Sequence, residues 1–159
     1  MPRVLAKGWA VIRLRNPSLE FNWLPNSIRK GLSTPRVVLS NRIDCGGFYC
    51  NKTPERYIHP WLGMDVSEAP VVAVTELAGS VAASLAHEYR HHWQWNNFGH
   101  RMRPSVWDSQ NQDYKASIVR YFRTYWWEMD ALKFELKHAP NDVSRLWWEW
   151  LMETPRLRQ

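Results

Sequence analysis

The sequence predicts an α+β protein, in which an irregular, strand-containing first half is followed by a helical second half. Proline interrupts the first half repeatedly, and the apolar runs between these breaks are short and partly β-branched, which is typical of strands. In the second half, apolar residues recur every three or four positions, as they do on one face of an α-helix. A length of 159 residues suits a single domain over residues 1–159 with its own core.

Four short runs of the first half are predicted strands, and the last two are expected to pair. The runs are 9–14, 36–39, 46–50 and 57–61. The sequence Asn-Lys-Thr-Pro-Glu at 51–55 favours a turn, so we expect 46–50 and 57–61 to form a hairpin. The apolar run at 71–74 fits either a further strand or the start of the following helix.

Three helices are predicted in the second half. The first reaches about Trp95 and is stopped by Asn96, Asn97 and Gly99, and Gly99 suits a C-terminal cap. After a loop from His100 to Gln112, the second is expected over 113–137. Its core-facing stripe consists of Ile118, Phe122, Tyr125, Met129, Leu132 and Leu136. Asn141 or Asp142 then caps a third helix, whose expected inward residues are Val143, Leu146, Trp147 and Trp150.

The stretch His87-Glu88-Tyr89-Arg90-His91 carries the strongest functional signal of the chain. Two histidines four residues apart lie one above the other on a helix, so both imidazoles can bind one Zn²⁺ ion. The adjacent Glu88 can take a proton from a zinc-bound water. The pattern therefore predicts a zinc site with a catalytic base; the alternative is a surface helix on which histidines are scattered.

A catalytic zinc usually has three protein ligands, so the chain must supply one more. The candidates are His92, His100, His138, Glu128, Asp130 and Glu135. His92 is turned about 100° from its neighbour, and His100 comes one turn too late for a glycine-turn pattern. Glu128 is preferred because it lies mid-helix beside the apolar stripe, where an unpaired charge is costly. The alternative is that Glu128 pairs at the surface with Arg120 or Arg123.

Two segments together resemble the gluzincin metallopeptidases, and above all the small single-domain versions called minigluzincins. They are Leu-Ala-His-Glu-Tyr-Arg-His-His-Trp-Gln at 85–94 and Trp-Glu-Met-Asp-Ala-Leu-Lys-Phe at 127–134. In that family a His-Glu-x-x-His helix supplies two ligands and the base, and a second helix carries a pattern like Glu-x-Glu-Ala-Asp-x-Phe-Ala. On that pattern, Glu128 takes the ligand position.

The second helix matches this pattern in part. Asp130, Ala131 and Phe134 take the positions of the second acid, the alanine and the aromatic residue. Leu132 departs from the pattern, because the family usually has an acid there that orients a ligand histidine. A backbone carbonyl or Asp65 is expected to substitute for that acid.

The resemblance implies an α+β zincin-like domain, with a small antiparallel sheet packed on an active-site helix, a glutamate helix and a C-terminal helix. It implies a zinc metalloendopeptidase that hydrolyses a peptide or protein substrate, with Glu88 as general base. Tyr121, two helical turns before Glu128 and on its face, is the candidate donor to the oxyanion. His138 and Tyr125 are alternatives. The tail after Leu151 could also cover the metal through Glu153.

The composition is basic, with 21 Lys and Arg against 15 Asp and Glu, and it includes 11 tryptophans. A net charge of +6 permits loose attraction to nucleic acid but does not require it. The alternative function is therefore a non-catalytic, zinc-containing binding module, whose basic, Trp-rich surface holds nucleic acid or a protein partner. The sequence gives no indication of the oligomeric state.

No apolar run approaches the length of a membrane span, and residues 1–16 lack the apolar stretch of a signal peptide. We therefore expect a soluble, cytoplasmic protein that does not bind membranes. In a reducing compartment the two cysteines, Cys45 and Cys50, are expected to be free thiols, although a single bridge between them is an alternative.

Overall fold

A computed structural model describes residues 12–15, 20–41, 43, 45–75, 80–108, 110 and 113–155. It confirms the α+β class, with a small mixed sheet and five helices. The strands are β1 (Ile12–Arg15), β2 (Arg36–Ser40), β3 (Gly47–Cys50) and β4 (Val71–Val74). The helices are α1 (Asn26–Arg29), α2 (Val81–Phe98), α3 (Tyr114–Thr124), α4 (Trp126–His138) and α5 (Asp142–Glu153). Residues 9–11 of the first predicted strand lie outside the described residues.

The sheet has the strand order β1-β2-β4-β3. The outer pairs β1–β2 and β3–β4 are antiparallel, but the central pair β2–β4 is parallel. The expectation of a wholly antiparallel sheet is therefore wrong at its centre. β4 is the strand at 71–74 that the sequence left open, and all four of its residues are 0% exposed. A strand buried on both faces reads as a continuous apolar run, which explains the ambiguity.

The predicted hairpin between 46–50 and 57–61 is wrong, because β3 pairs with β4 instead. Residues 57–61 contribute only an isolated bridge from Ile58 to Asp65. Burial of β4 on both faces explains this pairing, because alternate side chains of β3 can then pack with the core on each face of the sheet. Phe48 packs with Ala73 on one face, and Tyr49 packs with the core under α2 on the other. β3 becomes an edge strand of the described sheet.

α2 lies across one face of the sheet and carries the predicted metal-binding motif. It begins after Ser80, whose side chain accepts a hydrogen bond from the Ala83 amide at 3.1 Å. Leu85 and Tyr89 then pack into the core that β2 and β4 cover. Gly99 caps the end of the helix, as expected, and the chain continues into a 3₁₀ turn. The helix is therefore anchored at both ends and along the sheet.

The predicted single helix over 113–137 is wrong, because the helix is interrupted at Tyr125. Tyr125 has extended backbone angles, φ −111° and ψ 103°. Thr124 contributes to the break, since its hydroxyl donates to the Arg120 carbonyl at 2.7 Å and competes with the helical amide ladder. The aromatic run after it also has modest helix propensity. The break lets α4 pack on α2 while α3 packs on α5.

α5 closes the core formed by α3 and α4. Asn141 is its N-cap and accepts from the Ser144 amide at 3.0 Å, as one of the two expected caps. Leu151 is its buried apolar residue, and Trp147 and Trp150 are partly buried against the same core. The expectation that Val143 and Leu146 face inward is wrong, since they are 49% and 43% exposed. Because α5 touches its neighbours along one narrow stripe, those two residues lie outside it.

Two remaining expectations concern the chain as a whole. Cys45 and Cys50 are not joined by a disulfide in the structure. Within the described ranges, no helix is long and apolar enough to cross a membrane.

Candidate metal centre

His87 and His91 face α4 from consecutive turns of α2. Their rings lie 4.8 Å apart between centroids, at an interplanar angle of 81°. α2 packs against α4, and Ala86 on α2 and Ala131 on α4 are both 0% exposed. His87, Glu88 and His91 form a group whose ligand atoms all lie within 4.8 Å of one another. A metal ion could be held by this group.

Glu128 on α4 brings a carboxylate to the two imidazoles. Its Oε2 lies 2.9 Å from His87 Nε2 and 3.3 Å from His91 Nε2. Nitrogen and oxygen ligands at tetrahedral corners about 2.0–2.1 Å from one zinc ion lie about 3.3 Å from each other. The observed separations fit this arrangement after shifts of about a few tenths of an ångström. The three sequence-predicted ligands therefore converge on one point.

Glu88 lies beside this point and beneath the edge strand β3. The glutamate is 6% exposed, and burial raises the pKa of its carboxyl, with the nearby imidazoles partly opposing the shift. A Cβ atom on Gly47 would lie 3.2 Å from Glu88 Cγ, so the strand passes directly over the glutamate. A buried carboxylate with a raised pKa is suited to exchange protons near neutral pH.

The ionisable groups of the centre strongly influence one another. Burial alone would lower the pKa of His87, but its hydrogen bonds to Glu128 and Glu135 raise it well above the ordinary value. Burial likewise acts to lower the pKa of His91, but the charge of Glu128 outweighs it and raises that pKa above the ordinary value. The pKa of Glu128 is lowered despite its burial, because His91 and His87 stabilise its anion. The centre is thus a mutually stabilised set of charges.

His87 is held from its other side by Glu135, three residues after Leu132. His87 Nδ1 lies 2.9 Å from Glu135 Oε1. The second oxygen of Glu135 accepts from the Ser144 hydroxyl at 2.8 Å. Asp65, the expected substitute, lies elsewhere: its carboxylate accepts from Ser67 at 2.6 Å. That expectation is wrong, because Asp65 belongs to the loop before β4.

His91 is held by a chain of hydrogen bonds along the α2–α4 contact. Its Nδ1 lies 2.8 Å from Gln94 Oε1. The Gln94 amide nitrogen donates to the Trp127 carbonyl at 2.8 Å and to Asp130 Oδ2 at 2.7 Å. Because both acceptors use the amide nitrogen, its oxygen must face the imidazole and receive the Nδ1 proton. In the neutral imidazole that can bind a metal, this leaves the lone pair of Nε2 directed at the centre.

Glu128 is held by Ser105, from the loop before α3. The Ser105 hydroxyl donates to Glu128 Oε1 at 2.9 Å and accepts from Trp127 Nε1 at 2.7 Å. One oxygen of the carboxylate is therefore occupied, and the other faces the histidines. Tyr121 lies beside both residues, and burial together with the Glu128 charge raises the pKa of its phenol. The predicted oxyanion donor is thus adjacent to the centre.

The remaining sequence candidates have other partners. His92 is fully buried, with its ring nitrogens 2.7 Å from the Ser33 carbonyl and 2.9 Å from the Tyr49 hydroxyl. His100 is exposed, and His138 contacts Phe134 with ring centroids 4.5 Å apart. His92 and His138 therefore have other partners, and His100 lies at the surface.

The surface alternatives are also occupied elsewhere. Arg120 pairs with Asp108 at 3.1 Å, and Arg123 donates to carbonyls at the end of α5, so neither neutralises Glu128. Glu153 pairs with Lys115 at 3.4 Å on an exposed surface. The expectation that Glu153 reaches the metal is therefore wrong, since its exposed carboxylate pairs with Lys115 instead.

Sequence reasoning missed the residues that hold the ligands. The sequence did not predict a role for Gln94, Ser105 or Ser144 at the centre. Their polar side chains gave little signal, because each comes from a different element and none falls in a recognisable motif. Glu135 had a signal, since it lies two helical turns after Glu128 and on the same face.

Comparisons with known proteins give no relative on which to rest a function. No protein-family model, no curated protein and no solved structure matches the chain. The function must therefore be argued from the geometry of the centre.

Proposed function

We propose that this protein is a zinc-dependent metallopeptidase with a zincin-like domain of the gluzincin kind. The supporting observation is the convergence of His87 Nε2, His91 Nε2 and Glu128 Oε2, with a buried carboxylate beside them. Two imidazoles and one carboxylate are the donor set of hydrolytic zinc sites that keep a fourth position open. The orientation of His91 fits this role, because Gln94 receives the Nδ1 proton and Nε2 faces the centre.

The residues around the centre divide the chemistry of peptide hydrolysis among them. Zinc bound there would polarise the substrate carbonyl and make water a nucleophile at neutral pH. Glu88 accepts a proton from the attacking water and passes it to the leaving amine. Tyr121 donates a hydrogen bond to the oxygen on which negative charge develops. Burial of Glu88 favours proton transfer, because it raises the pKa of the carboxyl toward the pKa values of the groups with which Glu88 exchanges protons.

The edge strand β3 supports a peptide as the substrate. Gly47 and its neighbours lie over Glu88, and the far edge of β3 has no partner strand among the described residues. An extended peptide can add to such an edge through main-chain hydrogen bonds. This would carry its backbone past the glutamate and the metal ligands.

The experiment that tests the proposal compares wild-type protein with Glu88→Gln. Zinc content is measured by elemental analysis, and hydrolysis is measured on casein and on a library of quenched fluorescent peptides. Both proteins should carry about one zinc per chain. The substitution should lower kcat/KM by at least about 100-fold, because it removes the general base and leaves the ligands intact.

Glu149→Gln is the matched control, because Glu149 is exposed on α5 and the substitution removes the same charge at the surface. It should leave both zinc content and activity unchanged. If wild type and Glu88→Gln bind zinc but are equally inactive on every substrate over a broad pH range, the peptidase proposal fails. The binding-module alternative would then be tested by nucleic-acid affinity as a function of salt.

A further inference from the structure

We propose that Glu135, held in place by Ser144, is the positioning residue that orients His87 toward the metal, which makes the C-terminal helix α5 part of the metal centre. The inference rests on the proposed function, since it concerns the same ligands. Glu135 stands at a position where the pattern that this helix resembles has alanine, and Leu132 stands where that pattern has an acid. The acidic residue is therefore found about one helical turn later in this chain, at position 135 and not at position 132.

The geometry of α4 explains why residue 135 can do this. Glu128 and Glu135 are seven residues apart, so they point in nearly the same direction from points about 10.5 Å apart along the helix axis. The imidazole of His87 lies between them, with Nε2 2.9 Å from Glu128 and Nδ1 2.9 Å from Glu135. Glu135 therefore fixes the plane of the ring and receives the Nδ1 proton. This leaves Nε2 as the metal-binding atom.

Leu132 cannot take this part, because it points to a different core. Its side chain is 0% exposed and packs with Ile118, Phe122 and Leu151, the residues that join α3, α4 and α5. An acid at this position would have to leave water for an apolar environment without a partner. The packing of α5 thus accounts for the apolar residue at 132.

The hydrogen-bonded chain from His87 through Glu135 to Ser144 is called the relay. α5 supplies its last contact. The Ser144 hydroxyl donates to Glu135 Oε2 at 2.8 Å, and Ser144 itself is 3% exposed. Its amide is bound by the N-cap Asn141, so the first turn of α5 is fixed against α4. A buried carboxylate is costly without hydrogen bonds to both oxygens, and this hydroxyl satisfies the oxygen that His87 does not. Metal affinity and the docking of α5 are therefore coupled.

The test measures the zinc dissociation constant by competition with a chromogenic chelator, which needs no catalytic activity. Glu135→Leu should weaken zinc binding by about 10- to 100-fold while the protein still reaches one zinc per chain in excess metal. Glu135→Gln keeps an oxygen that accepts the Nδ1 proton, so it should recover part of this loss. Ser144→Ala should cost about 3- to 10-fold, because the carboxylate stays and loses one hydrogen bond.

Ser117→Ala is the matched control, since Ser117 is equally buried on α3 but its hydroxyl has no hydrogen-bond partner among the described residues. It should leave zinc affinity unchanged. A second readout separates positioning from general stability: the Nδ1 proton of His87, followed by NMR in zinc-loaded protein. This resonance should be downfield and protected from exchange in wild type, and both properties should be lost in Glu135→Leu.

Distinct outcomes overturn the proposal. If Glu135→Leu is folded and binds zinc as tightly as wild type, Glu135 does not position the ligand. If Glu135→Gln abolishes stoichiometric zinc as completely as Glu128→Ala, Glu135 is itself a ligand and the relay is wrong. If wild type binds no zinc, the proposed function fails and the relay fails with it. Equal losses in Ser144→Ala and Ser117→Ala would remove α5 from the centre.

Discussion

Gly47→Ala probes the place where the sheet meets the proposed base. A Cβ atom at this position would lie 2.7 Å from the Ala73 carbonyl oxygen, 3.1 Å from Val74 Cγ1 and 3.2 Å from Glu88 Cγ. The nearest of these atoms is backbone of the fully buried central strand β4, so it cannot move aside. β3 must therefore shift away from β4, and the side chain of Glu88 must give way to the new methyl group.

The magnitude follows from two opposing effects. Overpacking a rigid site costs about 1–3 kcal/mol, whereas replacing glycine by alanine stabilises by about 0.4–1 kcal/mol through the unfolded chain. The expected net loss is about 1–2 kcal/mol, which lowers Tm by about 2–8 °C in a protein of this size. Because Glu88 is displaced while the ligands on α2 and α4 are not, activity should fall by about 10- to 100-fold at full zinc occupancy.

Gly46→Ala provides the control, since its Cβ would meet only Ser84 Oγ at 3.5 Å, an ordinary contact. Denaturant unfolding, elemental analysis and peptide hydrolysis of the two variants test the prediction. Gly46→Ala should match wild type within about 0.5 kcal/mol. Equal stability and equal activity in the two variants would refute the reasoning, because it would mean that β3 can yield at Gly47 without cost.

Three further predictions concern single groups. Tyr121→Phe should lower kcat by about 100-fold with zinc content and KM unchanged, because it removes only the oxyanion donor; steady-state kinetics checks this. Asn141→Ala should lower the free energy of unfolding by about 1 kcal/mol through loss of the N-cap, as measured by urea denaturation, whereas Asn141→Asp should not. Burial holds the pKa of His59 below its ordinary value of 6.5, so the neutral ring contributes stability that is complete above that pH and is lost as the pH falls toward the folded-state pKa. The stability advantage of wild type over His59→Gln should therefore be larger at about pH 8 than at about pH 5.

The sequence predicted α2 and its two histidines because their information is local. The spacing of His87 and His91 fixes their relative direction on any helix, and the expected cap Gly99 ends that helix. Glu128 was also predictable, since a carboxylate beside an apolar stripe needs a partner. What these predictions have in common is that helical periodicity alone places the side chain.

The errors arose where pairing over long distances decides the structure. β3 pairs with β4 and not with residues 57–61, because β4 is apolar and buried on both faces. The turn residues at 51–55 carry no information about this long-range pairing. The interruption of the helix at Tyr125 could not be predicted from the sequence for a different reason. The apolar stripe from Ile118 to Leu136 keeps its spacing across the break, so periodicity continues although the helix does not.

That break contributes to the metal centre. With Tyr125 extended, its hydroxyl accepts from the Val106 amide at 3.0 Å and fixes the loop that precedes α3. The neighbouring Ser105 is thereby held against Glu128 at 2.9 Å, with Trp127 donating to the same hydroxyl. A continuous helix through residue 125 would remove the anchor of this loop and leave one oxygen of Glu128 buried without its donor. The irregularity that sequence periodicity missed is therefore one of the features that position Glu128, the proposed third ligand.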